Sequence, residues 1–278
     1  PPRSTPLYSS AASDVYKRQT QWLPDGRWNP NGHKMRTGRF LRSLPLEEKT
    51  LAENLREEGY ATFHAGKWHL GGAPFSLPEH HGFAHNLGGG DHGAPGSYFY
   101  PFKGTWRVPT TKLRASNQAF GGGEKGDYLT DLLAEGTVKL IRENGKKKPF
   151  FLYLPLPAPH TPIVPVPPFK GASKINPYAD FVMQMDGHVG DLLATIKEAG
   201  VDENTLVFFT SDNGCSPQGN FELLKEFGHD PSAGYRGHKA DVYEGGHRVP
   251  FIARWTKGIK PSQKTNALAC LTDLYDTM

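Results

Sequence analysis

The chain is organised around residues 59–72, which read GYATFHAGKWHLGG. A β-prone run, Tyr60 to Ala65, stops at a glycine, and the following turn presents a lysine and a histidine together. Lys67 is a compact cation with three donors, and His69 exchanges a proton near neutral pH. The flanking glycines let a bound group approach the backbone closely. The turn therefore suits an anion, although the same residues also occur on ordinary surface loops.

Composition places the chain among globular domains, with 278 residues, 37% hydrophobic and 22% charged. The net charge is only +4, and no block of five or six like charges appears, which argues against nucleic acid as a partner. No apolar run approaches the roughly eighteen residues of a membrane span, so no membrane partner is expected. The N-terminus lacks a signal-peptide pattern. Cys215 and Cys270 are too few for a disulfide framework, and whether they pair stays open.

Helical and strand patterns alternate along most of the chain. Apolar periodicity predicts helices over Leu46–Glu58, Asp127–Asn144, Tyr178–Ala199 and Asp273–Met278. Short apolar runs predict strands over Tyr60–Ala65, Phe150–Leu154, Thr205–Thr210 and Val249–Trp255. Apolar strands that alternate with helices are typical of the α/β class, with a mainly parallel central sheet and helices on both of its faces.

Three segments do not follow this alternation. Residues 1–20 lack sustained periodicity and are interpreted as an unstructured or foreign leader. Residues 21–42 are rich in turn-forming residues and are predicted to form consecutive turns. Residues 71–126 are dense in glycine, proline, histidine and aromatic residues. A long irregular excursion is more often a site-forming loop than a simple connection. Its residues 88–102 are the expected selectivity surface.

Polar residues follow the ends of several predicted strands, where ligands bind in parallel sheets. Besides Lys67 and His69, they are His160, Asp212 and Asn213. Asp212 and Asn213 offer hard oxygen ligands for calcium or magnesium, but an Asx turn would explain the same pair. His160 lies between two prolines that restrict its backbone, as acid–base catalysis requires. Simple packing of that loop is an equal alternative.

A second cationic segment, residues 236–250, reads RGHKADVYEGGHRVP and precedes a predicted strand. Arg236, Lys239 or Arg248 could pair with an anion. A structural role for Arg248, bonded to backbone carbonyls, is at least as plausible. His238 and His247 are interpreted as surface residues.

Four ordered segments carry a family resemblance: residues 59–71, 158–162 (APHTP), 210–214 (TSDNG) and 237–246, with GHK and YEGG. From about Leu44 onward, the chain resembles the formylglycine-dependent sulfatases, the arylsulfatase-like branch of the alkaline phosphatase superfamily. The resemblance implies an alkaline phosphatase-like fold and hydrolysis of sulfate esters. It also implies a sulfated small molecule or polysaccharide as partner, and a periplasmic or secreted location.

Roles for individual residues follow from the same resemblance. It implies that Lys67 and Lys239 hold sulfate oxygens, and that His69 and His160 move protons. Asp212 and Asn213 would be two ligands of a metal, usually Ca²⁺, with Mg²⁺ as the alternative. Sulfuryl transfer spreads negative charge over oxygens, which fixed cations and a divalent metal stabilise.

The chain departs from the family pattern at the nucleophile. Formylglycine is made from the first residue of a Cys/Ser-x-Pro-x-Arg motif, which this sequence does not contain. Residues 215–219, CSPQG, have glycine where arginine belongs. Residues 21–278 are therefore interpreted as a partial catalytic domain that lacks the nucleophile segment and a C-terminal subdomain, and the chain alone is expected to be inactive. The alternatives are a phosphodiesterase or phosphonate hydrolase of the same superfamily and a non-catalytic module that binds sulfated glycans.

Overall fold

The structure is a computed structural model that describes residues 43–278 apart from residues 73, 91–92, 101 and 103–124. Within these residues the strands are β1 (Ala61–Ala65), β2 (His85–Leu87), β3 (Phe150–Tyr153), β4 (Val207–Thr210) and β5 (Phe251–Arg254). The α-helices are α1 (Leu51–Glu57), α2 (Leu129–Asn144), α3 (Pro177–Glu198), α4 (Phe221–Glu226), α5 (Glu244–His247) and α6 (Asp273–Thr277). Short 3₁₀ helices cover Pro78–His81, Asp202–Asn204 and Pro217–Gly219. The predictions for residues 1–42, and part of the predicted loop, lie outside the described residues.

The chain folds into two compact units. The first contains the described residues up to Asp127 together with Pro149–Leu156 and Ala269–Met278. The second contains Tyr128–Lys148 and Pro157–Leu268. Lys67 and His69 therefore belong to the first unit, whereas the other four predicted site residues belong to the second.

The first unit contains a three-stranded parallel sheet in the order β2-β1-β3. All five residues of β1 are buried because this strand is the central one. The parallel pairing confirms the predicted sheet type: Phe63 is opposite His85 in β2 and Leu152 in β3. Strand β2 lies within residues 71–126, which the sequence predicts to be irregular. The sequence does not predict this strand because three residues are too few to show a periodic pattern.

Helix α1 begins later than predicted, at Leu51 instead of Leu46. Thr50 caps it in a capping box: its hydroxyl accepts from the Glu53 N–H, and the Glu53 side chain accepts from the Thr50 N–H. This reciprocal cap satisfies two end donors of the helix and fixes where it starts. Gly59, at φ +87°, ends the segment as predicted.

Aromatic residues form the core of the first unit. Trp68, which is 2% exposed, clusters with Ala52, Leu70 and Phe83, against which Phe151 and other residues pack. The Trp68 indole N–H donates to the Ser76 carbonyl at 2.9 Å. Trp68 therefore anchors the turn between Lys67 and His69 in the core.

The second unit is built on α2, α3 and a two-stranded sheet. Helices α2 and α3 pack against each other, and the Asn176 side chain caps α3 by accepting from the Ala179 N–H. Strands β4 and β5 pair antiparallel, with Val207 opposite Arg254. Both strands are shorter than predicted. No described helix is long and apolar enough to cross a bilayer.

Replacing Thr50 by alanine should lower the free energy of unfolding by about 1–3 kcal/mol. The substitution removes the cap and also a buried hydrogen bond from the Thr50 hydroxyl to the His81 carbonyl, 2.8 Å long. Urea denaturation measures the effect, and Thr50→Ser, which keeps the hydroxyl, should recover most of it. Equal loss in the two variants would contradict the assigned cap.

Candidate active site

The Lys67 turn depends on the absence of a side chain at residue 66. Gly66 has φ +130°, and a Cβ there would lie 2.2 Å from the Pro155 carbonyl oxygen. The Lys67 N–H donates to that oxygen at 2.8 Å, and the Gly66 N–H donates to Leu87 O at 2.7 Å. The turn is thus bonded to the last residue of β2 and to the segment that follows β3, which fixes the backbone of Lys67.

His69 lies on the same turn but is directed inward. It is 3% exposed, and its φ of +58° is in the left-handed region, which non-glycine residues seldom occupy. The backbone N–H of His69 donates to Gly90 O at 2.9 Å. A Cβ on Gly93 would approach the His69 ring to 2.5 Å, so Gly93 leaves room for the imidazole.

His64, in strand β1 next to this turn, is a further polar residue that the sequence does not single out. Its ring is fully buried among aromatic residues, with Trp68 and Phe83 at centroid distances of 5.6 and 5.4 Å. Burial lowers its pKa to about 4, although hydrogen bonds to Asn86 and the Lys67 backbone act in the opposite direction. His64 is therefore neutral at physiological pH.

His160 is held by its own loop in the second unit. The His160 N–H donates to Pro157 O at 3.0 Å, and Nδ1 lies 2.9 Å from the Thr161 carbonyl oxygen. Because a carbonyl can only accept, Nδ1 carries the proton of this bond. Nε2 is then the nitrogen that can exchange a proton with a ligand.

Asp212 and Asn213 follow β4, as predicted. The Asn213 amide nitrogen donates to Gly214 O at 3.0 Å, while its Oδ1 is buried without a hydrogen-bond partner within the described residues. Burying a carbonyl oxygen without a hydrogen bond lowers the stability of the folded protein. A hard cation such as Ca²⁺ could bind this oxygen and compensate for that cost. No group of three or more His, Cys, Asp or Glu residues with metal-site geometry occurs within the described residues. The donors present fit part of a cation site.

Glycines join the Asn213 loop to the segment that carries Lys239. A Cβ on Gly214 would lie 1.8 Å from Gly245 O, and one on Gly246 would lie 2.1 Å from Asp241 O. The Gly214 N–H donates to Gly246 O, and the Lys239 N–H donates to Cys215 O, both at 2.9 Å. We call these contacts the glycine joint. It fixes the backbones of the predicted metal residue and the predicted cation relative to each other.

Two arginines near Lys239 stack on tyrosine rings. The guanidinium carbon of Arg236 lies 3.7 Å from the ring centre of Tyr243, and that of Arg248 lies 4.4 Å from that of Tyr235. Arg248 also pairs with Glu244 at 3.1 Å. The structural alternative for Arg248 expected bonds to backbone carbonyls; the contacts shown are instead with a carboxylate and an aromatic ring.

The structure settles the state of the cysteines. Cys215 and Cys270 are both free thiols. Burial raises the pKa of the Cys215 thiol, while hydrogen bonds to Tyr178 and the Ser216 backbone oppose this. A raised pKa disfavours the thiolate form of Cys215.

A family model described as Sulfatase matches residues 23–278. The chain belongs to the sulfatase family. It is 32% identical over 247 residues to N-acetylgalactosamine-6-sulfatase from Canis lupus familiaris, covering 84% of this chain and 45% of the relative. It is 33% identical over 241 residues to an arylsulfatase from Hemicentrotus pulcherrimus, covering 78% and 40%. The chain spans about half the length of the curated relatives it matches.

Solved structures share the fold. Ps i-CgsB in complex with k-i-k-neocarrahexaose superposes with a TM-score of 0.67 at 29% identity, over 84% of this chain and 53% of that one. PsFucS1 sulfatase from Pseudoalteromonas sp. superposes with a TM-score of 0.63 at 28% identity, over 87% and 52%. The predicted α/β, alkaline phosphatase-like fold class is thereby confirmed.

Stability should fall as the pH falls from about 6.5 to 4, in part because of His64. The unfolded state binds a proton at the ordinary histidine pKa, whereas the folded pKa is about 4. The stability contributed by neutral His64 is therefore complete above pH 6.5 and lost at lower pH, by about 3 kcal/mol. Urea denaturation of the sulfatase chain and of His64→Gln at several pH values isolates this contribution. Parallel pH profiles would contradict the assignment.

Gly214→Ala should lower the free energy of unfolding by about 2 kcal/mol or more, because the new methyl group would overlap the Gly245 carbonyl. Gly190→Ala is the matched control, since a Cβ at Gly190, within α3, meets no atom within 4 Å. Thermal denaturation of the two variants compares them. A Gly214→Ala protein as stable as the control would show that the glycine joint is not closely packed.

Proposed function

We propose that this protein hydrolyses sulfate esters of carbohydrates. Membership of the sulfatase family over residues 23–278 supports the reaction class. The substrate class is supported by two relatives' printed names, N-acetylgalactosamine-6-sulfatase and N-acetylgalactosamine-6-O-sulfatase, and by the neocarrahexaose complex of Ps i-CgsB. By the same resemblance we propose a periplasmic or secreted location.

Lys67 and Lys239 are proposed to bind the sulfate oxygens. The rigid backbone at Gly66 supports the assignment of Lys67, because a cation on a fixed turn needs little reorganisation when negative charge develops on the substrate. The glycine joint supports Lys239 in the same way. Backbone hydrogen bonds connect the segment that carries Lys239 to the loop that carries Asp212 and Asn213.

Asp212 and Asn213 are proposed to hold Ca²⁺, with Mg²⁺ as the alternative. Asn213 Oδ1, which is buried and has no hydrogen-bond partner in the described part of the chain, supports this assignment. A bound divalent ion would supply positive charge that stabilises the transferring sulfuryl group. Metals that prefer thiolate ligands are not expected to bind here, because the side chains offer only oxygen ligands.

His160 is proposed to protonate the leaving oxygen through Nε2, since its Nδ1 is engaged by the Thr161 carbonyl. His69 is proposed to accept a proton during release of sulfate. The family's formylglycine supplies the nucleophile, for which this sequence has no matching motif. We therefore expect the isolated chain to be inactive.

Sulfatase activity should fall at least about a hundredfold in Lys67→Ala or His160→Ala. The variants are made in the full-length protein and assayed as kcat/KM on matched aryl sulfate and aryl phosphate esters. Lys260→Ala, at an exposed position, is the control and should keep wild-type activity. A preference for phosphate esters would favour a phosphodiesterase. Binding of sulfated glycan without turnover of any ester would favour the non-catalytic module.

Calcium should raise the melting temperature of the chain, because an ion that binds only the folded state stabilises it by mass action. Asn213→Ala should remove most of this shift, while Asn204→Ala, which alters an exposed asparagine, should keep it. Parallel titrations with Ca²⁺, Mg²⁺ and no metal decide which ion binds. An equal calcium shift in Asn213→Ala would exclude Asn213 as a ligand.

A further inference from the structure

The ring of His64 is buried between two hydrogen-bond acceptors. Nδ1 lies 3.1 Å from the Asn86 side-chain oxygen, and Nε2 lies 3.2 Å from the Lys67 carbonyl oxygen. His64 and Asn86 are register partners on the parallel strands β1 and β2. The ring therefore connects the sheet to the turn that carries Lys67.

The amide of Asn86 cannot be reversed without loss of its other bonds. Its Oδ1 accepts the Gly89 N–H at 2.8 Å. Its nitrogen donates to the Glu79 carboxylate at 2.9 Å and to Gly89 O at 3.1 Å. Reversal would break all three bonds, so the atom that faces His64 Nδ1 is an oxygen.

A neutral imidazole has only one N–H and can satisfy only one of the two acceptors. The other acceptor then faces a ring lone pair. The doubly protonated ring could donate to both, but burial disfavours its charge. The Asn86 oxygen already accepts the short bond from Gly89, which makes the Lys67 carbonyl the better partner for the single N–H.

We propose that His64 is a positioning residue for the Lys67 turn, and that the neutral ring donates its Nε2–H to the Lys67 carbonyl. That bond fixes the peptide that links Lys67 to Trp68. It adds to the bonds that hold the Lys67 N–H to Pro155 O and the His69 N–H to Gly90 O. Only the role of Lys67 in anion binding rests on the proposed function.

Among the described residues, aromatic rings and the Asn86 amide contact the His64 ring. Glu79, on the 3₁₀ helix, reaches it through the Asn86 amide. Tyr153 of β3 presents its ring at a centroid distance of 5.7 Å, and His81 lies beyond Trp68 with its own pKa lowered by burial. Among the described residues, Glu79 is thus a carboxylate linked to His64 only through the Asn86 amide.

Nitrogen NMR of the ¹⁵N-histidine-labelled chain tests the tautomer directly. The ring nitrogens have distinct chemical shifts when protonated and unprotonated, and the signals of His64 are identified by their loss in His64→Gln. At pH 7 we expect a protonated Nε2 and an unprotonated Nδ1. A protonated Nδ1 would overturn the proposal, because the ring would then hold Asn86 in place of Lys67.

Amide hydrogen exchange tests the positioning role with matched variants. His64→Phe keeps a ring of similar size and removes both polar contacts, whereas His64→Gln keeps an N–H donor near the position of Nε2. The Lys67 and His69 amides should exchange about tenfold faster in His64→Phe, an effect that one hydrogen bond of ordinary net strength provides, and near the wild-type rate in His64→Gln. Exchange in α1, which belongs to the same unit as His64, serves as the folding control.

Equal exchange at Lys67 and His69 in the two variants would overturn the proposal and leave packing as the whole role of His64. A general rise that includes α1 in His64→Phe would reflect destabilisation of the whole unit, and the tautomer measured on the wild-type chain then decides. Neither measurement requires catalysis. Failure of the sulfatase activity would therefore leave the outcome for His64 unaffected.

Discussion

The contact between Gly66 and the Pro155 carbonyl is the constraint on which the Lys67 turn depends. A Cβ at this position would lie 2.2 Å from the oxygen, so any other residue would push the exit of β1 away from the exit of β3. With glycine, the same oxygen accepts the Lys67 N–H. Placement of a cation here is therefore a property of the backbone and does not depend on the conformation of a flexible loop.

The second unit uses the same physical device. Gly214, Gly245 and Gly246 let separate backbone segments approach closer than any side chain would permit. Their hydrogen bonds connect the loop of Asn213 to that of Lys239. Rigid backbone around charged side chains is what electrostatic stabilisation of a transferring group requires, since little reorganisation remains when charge develops. In each unit, the backbone geometry around the proposed site residues thus depends on glycines.

At two buried positions in the described chain, polar atoms lack the hydrogen-bond partners that burial normally requires. The Asn213 oxygen is buried without a partner in the described part of the chain, and the neutral His64 ring faces two acceptors with one proton. Natural proteins tolerate such conflicts mainly at functional sites. Trp68 and Phe83, which pack around His64, belong to the hydrophobic core that stabilises the first unit.

The sequence by itself determined the α/β class, the presence of the long helices and the residues that follow strand ends, because periodicity and strand-end glycines are local signals. It missed β2, which is too short to show a period, and placed the start of α1 too early because the cap at Thr50 competes with the apolar pattern. It did not identify His64, whose sequence neighbours give no sign of burial between two acceptors. Only the tertiary structure decided that Gly214 meets Gly245 and that Asn86 meets His64. These contacts join residues distant along the chain, and distance in the sequence carries no information about which backbones touch.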